Sequence, residues 1–162
     1  MTHTNPSPER IDADSAGSAV SSVARIVCAE ITSASIDTAG LAATVADWAA
    51  GAVVTFDGRV RNHDDGRGVS GISYSAHPSA NTVMGEIAAE AADRPGLRAV
   101  GIRHRVGDLA VGDTALAVAV SADHRAEAFD AVRDIVEAVK ARLPVWKQQT
   151  FADGSTAWSN SP

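Results

Sequence analysis

Thiols, amines and aromatic rings are all scarce in this chain. Its 162 residues include one cysteine, and aromatic residues make up 4%. The lone Cys28 excludes an internal disulfide framework and a cysteine metal cluster. A reducing cytoplasm is the expected setting. No apolar run of 18 residues occurs, and residues 1–22 lack the charged-then-apolar order of a signal peptide, so no membrane or export function is expected. An excess of positive charge is missing as well. The formal net charge of -6 argues against nucleic-acid binding, which rests on a positive field over phosphates. Phosphate loops, dinucleotide fingerprints and paired histidines at helical metal-ligand spacing are absent, and His63, His104 and His124 are scattered. No metal or cofactor is expected.

What the chain does have is aliphatic bulk. Hydrophobic residues reach 45%, and a chain of this length buries about two thirds of its unfolded surface in one domain. An α/β or α+β domain with an Ala, Val, Ile and Leu core follows, with the tryptophans and phenylalanines as isolated large pieces. Residues 1–23, rich in Ser, Thr, Pro, Asp and Ala without periodicity, read as a disordered tail. The domain is expected over residues 24–159. Arg25 to Ile31 reads as a first strand, in which Cys28 is a packing residue or, alternatively, a reactive thiol. Asp37 or Thr38 caps a helix carrying Leu41, Val45 and Trp48 on one face, and Gly51 ends it. Ala52 to Arg61 reads as a buried strand with Gly58 at a bulge or close backbone approach. A turn-rich loop, residues 62–68, joins it to an alternating strand, residues 69–76. That loop projects Arg61, His63 and Arg67 towards an anion or, equally, into solvent.

Ser79 to Asp93 shows helical periodicity stopped by Arg94-Pro-Gly96. Residues 98–106 alternate as a strand with Arg103 and Arg105 on one side and His104, read as a paired core or interface histidine, on the other. A hairpin leads to the most apolar strand, residues 114–121. Next, Ser121-Ala-Asp-His-Arg125 opens a long helix with Phe129, Val132, Val136, Val139 and Leu143 on the core side. Cations at that N-terminus, His124 and Arg125, oppose the helix dipole, while the unpaired N–H groups there suit an anion. Pro144 ends the helix, residues 145–151 return as a strand, and a turn at 152–155 leads to a short last strand.

Amines occur in one place. Of the 14 Lys+Arg residues two are lysine, Lys140 and Lys147, flanking Pro144. A lysine can lose its proton and act as base or nucleophile where arginine cannot. The plain alternative is two surface lysines near a helix C-terminus, where cations suit the dipole. About 18 helical residues, roughly 27 Å at 1.5 Å per residue, separate the two ends of that helix. His124 and Lys140 therefore share one site only if another segment or another subunit completes it.

Four blocks in order resemble the large, catalytic subunit family of molybdopterin synthase. They are Gly51-Ala-Val-Val-Thr-Phe-Asp-Gly-Arg-Val-Arg-Asn-His63, His104-Arg-Val-Gly-Asp-Leu109, Ser121-Ala-Asp-His-Arg125 with Ala128-Phe129, and Lys140-Ala-Arg-Leu-Pro-Val-Trp-Lys147 followed by Asp153-Gly154 and Trp158. The resemblance implies an α+β chain of α/β hammerhead type with an added antiparallel β subdomain. It implies a homodimer flanked by two small ubiquitin-like sulfur carriers, a heterotetramer in all. The carrier's Gly-Gly thiocarboxylate would deliver sulfur twice to cyclic pyranopterin monophosphate, making the dithiolene of molybdopterin. By the same resemblance Lys140 and Lys147 are catalytic, and Arg61, His124 and Arg125 bind substrate. Three departures stand out: Gln148-Gln149 where the family usually has an acid after the second lysine, Ser75 and His77 in place of Glu and Tyr, and Ser79-Ala80 in place of a Met. They leave open an alternative, a paralogue that docks a carrier tail or a small anion without turnover.

Overall fold

The computed structural model describes residues 23–161, so the tail expected over residues 1–23 lies outside the described residues apart from Val23. The elements in chain order are β1 (Arg25–Thr32), α1 (Thr38–Thr44), β2 (Ala52–Arg59), β3 (His63–Asp64), β4 (Arg67–Ala76), α2 (Ala80–Ala92), β5 (Leu97–Arg105), β6 (Gly107–Ala110), β7 (Thr114–Ala122), α3 (Arg125–Arg142), β8 (Val145–Phe151) and β9 (Thr156–Ser161). Two sheets result. The first has the order β1-β5-β7-β2, with β1 parallel to β5 and the other pairs antiparallel. The second runs β3-β4-β8-β9, with β6 also paired to β4. This is the α+β architecture, with an antiparallel second sheet, that the resemblance implied.

The first sheet is covered on both faces, and β7 shows how residue size sorts them. Leu116, Val118 and Val120 face the main core under α2 and α3, while Ala117 and Ala119 face α1. Large side chains fill the wide side, and small ones admit the short helix on the other. Gly101 of β5 is part of the same device: a Cβ there would lie 2.8 Å from both Leu41 Cδ1 and Val27 Cγ2, closer than packed carbons approach. Cys28 is half-buried beside this α1 cluster, as a packing residue should be.

α1 is shorter than its periodicity suggested. Asp37 caps it by accepting from the Gly40 N–H at 3.0 Å, but the helix stops at Thr44. Trp48 therefore falls past its end and projects fully into solvent. In α3 the buried stripe is Ala128, Ala131, Val132, Ile135, Val136 and Val139. Phe129, expected on that stripe, is 60% exposed. Ala128 takes the sheet-facing position, and the next residue along a helix points about 100° away. Nor do the tryptophans serve the core, since Trp146 and Trp158 are also exposed. The core is more purely aliphatic than composition alone implied.

Candidate functional site

β2 brings the first site residues into place. Gly58 is the predicted irregularity: pairing with β7 slips between Gly58 and Arg59, so that Gly58 faces Leu116 and Arg59 faces Thr114. A Cβ on Gly58 would meet the Phe56 ring at 2.8 Å. Arg59, just past this slip, lines cavities walled by strands of the second sheet, and Asp57 of its own strand holds it at 2.7 Å. The Thr114 hydroxyl donates to the same carboxylate at 2.8 Å. With the Arg59 hydrogen bond as the main cause, the Asp57 carboxyl titrates below its ordinary range.

Two neighbouring cavities open here. The larger, about 210 Å³, has Phe56, Tyr74, His104, Leu116, Val139 and Lys140 in its walls. The smaller, about 120 Å³, is cationic, with Arg59, Arg61, His63 and Lys147 in its walls together with Asp64 and Gln149. Arg59 and Tyr74 line both. Lys140 reaches the first cavity from the last turn of α3. Leu143 then leaves helical geometry for an extended conformation, as the following Pro144 requires. The chain turns directly into β8, where Lys147 lies opposite Tyr74 of β4. One helix end and one strand thus deliver both amines to adjoining spaces.

His104 is 5% exposed, and its Nδ1 lies 2.9 Å from the Arg105 carbonyl oxygen. A carbonyl only accepts, so Nδ1 carries the hydrogen, and in the neutral ring Nε2 is left as acceptor. Burial depresses the His104 pKa and keeps the ring neutral, against a smaller opposing effect of that hydrogen bond. Tyr74 meets it edge-on with centroids 5.1 Å apart, and burial pushes the Tyr74 phenol upward. His104 is thus a buried histidine, as its place on the apolar side of an alternating strand predicted, and it also walls the cavity of Lys140.

The structure does not bring every candidate together. Arg61 and His63 share the smaller cavity, but Arg67, expected beside them, turns away. It binds Asp153 at 3.1 Å and the Ser155 hydroxyl at 2.6 Å, and lies 3.5 Å over the Phe151 ring. These contacts fasten the hairpin to the β8–β9 turn. Asp153 is held down to about 2 by Ser155 first and Arg67 second. His124 and Arg125 remain at the far end of α3, both exposed, and neither lines the two cavities. His124 is the N-cap residue, and its side chain makes no capping hydrogen bond.

Ion pairing separates the structural cations from the rest. Among the described residues, Arg59, Arg61, Arg67, Arg94, Arg98, Arg103, Arg105, Arg133 and Arg142 each reach a carboxylate, and Arg25 donates to the Thr44 and Ala46 carbonyls. Lys140, Lys147 and Arg125 are left with neither kind of partner. Arg59, one of the arginines available for a local basic pocket, Phe56 of the same block, and Gln149, noted as a departure, line the cavities together with Tyr74 and Asp64, and strand register is what collects them. The visible signal was Gly58. No group of three or more His, Cys, Asp and Glu side chains among the described residues is placed to hold a metal, and no described helix is long and apolar enough to cross a membrane.

Comparison with known proteins bears on the family and the fold. The family model described as MoaE protein matches residues 31–142. The molybdopterin synthase catalytic subunit of Nostoc sp. is 41% identical over 114 residues, 69% of this chain and 69% of that one. The crystal structure of molybdopterin synthase from Staphylococcus aureus superposes with a TM-score of 0.75 at 32% identity, covering 81% of this chain and 96% of that chain. A complex of subunits 1 and 2 of molybdopterin-converting factor from Helicobacter pylori shares the fold, with a TM-score of 0.61 at 20% identity over 85% of this chain and 90% of that chain.

Proposed function

This chain belongs to the MoaE protein family, and on that basis we propose that it is the sulfur-transferring subunit of a molybdopterin synthase. Its substrates on this reading are cyclic pyranopterin monophosphate and a small ubiquitin-like carrier whose C-terminal Gly-Gly ends in a thiocarboxylate. The observation that supports the assignment of the site is the set of unpartnered cations: among the described residues, nine arginines reach a carboxylate and Arg25 reaches backbone carbonyls, while Lys140, Lys147 and Arg125 do neither.

Sulfur arrives on the carrier, so the reaction asks for no cysteine, in keeping with one half-buried Cys28. What it asks for is proton transfer and anion binding. In the larger cavity Lys140 supplies an N–H donor, and the neutral His104 ring supplies an acceptor in the same wall. Lys140 is the acid–base group that moves protons at the reacting carbons. The smaller cavity, with Lys147, Arg59 and Arg61 in its walls, suits the phosphate of the pterin or the carboxylate left on the carrier. Lys147 anchors that anion.

His124 and Arg125 complete the binding site from a second copy of the chain. The length of α3 holds them away from Lys140 within one copy, and a two-fold dimer lets each chain lend its helix N-terminus to the other's cavities. With one carrier on each copy the assembly is a heterotetramer, and a reducing cytoplasm is its setting. A single-turnover assay with thiocarboxylated carrier and cyclic pyranopterin monophosphate tests the reading. Dithiolene product with the natural chain, and a loss of about a hundredfold or more in Lys140→Ala, is the expected result. Carrier binding without product would replace the enzyme by a docking paralogue.

A further inference from the structure

The smaller cavity holds a single carboxylate against four groups able to carry positive charge, Arg59, Arg61, His63 and Lys147. That carboxylate, Asp64, works in two directions. Its Oδ1 takes the Arg61 guanidinium at 3.3 Å, and its Oδ2 accepts from the Gln149 amide at 3.2 Å. Gln149 is 5% exposed, one of the few buried polar side chains in the protein. A buried amide is retained at a cost unless its hydrogen bonds are made, and facing a carboxylate it must present its NH2 group. Asp64, on the short strand β3, is thereby tied to β8 two residues beyond Lys147.

A glutamate at 149 would put a second carboxylate within hydrogen-bond distance of the first. Like charges so close cannot both stay ionised at little cost, so either one would hold a proton or Asp64 would swing away from Arg61. The two positions therefore accept one acid and one amide between them. In this chain the acid is at 64, which gives the absence of an acid after the second lysine a physical meaning.

We infer that Asp64 is a positioning residue: locked by the Gln149 amide, it aims the Arg61 guanidinium into the cationic cavity and sets that cavity's affinity for the anionic substrate. The inference rests on the function proposed above, and it concerns how Arg61 is held rather than how sulfur moves. Arg61 itself is largely exposed, and without Asp64 nothing else among its described contacts fixes its direction.

The test is a set of variants, Asp64→Asn, Gln149→Glu, the exchanged pair Asp64→Asn with Gln149→Glu, Arg61→Gln, and Arg61→Gln with Asp64→Asn. Equilibrium binding of cyclic pyranopterin monophosphate is measured for each without carrier, beside KM and kcat in the full assay and the melting temperature. Each single change at 64 or 149 should weaken binding about tenfold and raise KM alike with kcat little changed, as loss of a charge-assisted hydrogen bond does. The exchanged pair should recover to within about threefold, because neighbouring changes of this kind are not additive. With Arg61 already replaced, Asp64→Asn should add nothing. An exchanged pair no better than the weaker single variant overturns the inference, and so does an Asp64→Asn effect undiminished by loss of Arg61. Should Asp64→Asn lower the melting temperature into the assay range, the exchanged pair, which keeps one acid and one amide, decides. A natural chain that binds the pterin but transfers no sulfur defeats the proposed function and leaves this test intact. One that binds neither the pterin nor inorganic phosphate overturns both.

Discussion

The two ends of α3 carry cations in opposite circumstances. At the C-terminal end, Lys140 suits the helix dipole and faces walls already built by β2, β4, β5 and β8. At the N-terminal end, His124 and Arg125 oppose the dipole and stand exposed, with Glu127 the one acid of the first turn. The first arrangement is at ease without a ligand. The second carries a local cost that an arriving anion offsets. On the proposed reading, pocket and open cationic end are complementary halves of one binding site, the pocket preorganised within a chain and the open end supplied to a neighbour.

Damage at the walled end should be the most severe. Lys140→Ala should lower kcat by about a hundredfold or more, with little change in melting temperature because the side chain is exposed. Single-turnover rates beside a thermal melt decide it. Next in size, Arg125→Ala should raise KM by about tenfold, the weight of a charge-assisted hydrogen bond, while kcat changes less. An equal mixture of the two variants, exchanged to random dimers, then sets one end against the other. Assayed well below KM, the two variants average about a twentieth of natural activity; on mixing, half the dimers are mixed with one of their two sites intact, so activity should return to about a quarter of natural if the ends meet across a two-fold axis. No return would place both ends of the site within one chain.

A smaller effect comes from salt. At about 1 M ionic strength the Debye length falls to about 3 Å, and substrate binding in Arg125→Ala should respond to salt less than in the natural chain. The smallest effect concerns pH. The folded His104 pKa is depressed, so the unfolded chain binds a proton that the folded chain refuses. Stability should be complete above about pH 6.5 and fall as the pH drops through that value. His104→Asn, melted at pH 7 and pH 5, should show a flatter decline.

Periodicity made most of the fold legible. Hydrophobic alternation marked β4 and β5, a continuous apolar run marked β7, Pro144 marked the end of α3, and Gly58 marked the bulge before Arg59. Periodicity misled at Phe129 and Trp48, because a large apolar residue on the right face is buried only if an element comes near enough to cover it. A small residue beside it, Ala128, permits the closer approach. The candidate site was legible where composition is unusual, at two lysines among arginines that line adjoining cavities. It was illegible where partners come from register: nothing in the sequence alone pairs Asp64 with Gln149 across 85 positions, or sets Tyr74 opposite Lys147.

The strand order of the first sheet also governs how it can form during synthesis. Its outer strands, β1 and β2, are made first, and the central hairpin of β5 and β7 is made last. A nascent chain that has emerged only as far as Ala92 holds two of the four strands, and neither has met its neighbour. Arg25 waits for Ala99, roughly 70 residues later, which at ~5–20 residues per second is on the order of 4–14 s. The ribosome therefore gives this sheet no head start: its early strands stay open to other chains until the late hairpin arrives to receive them.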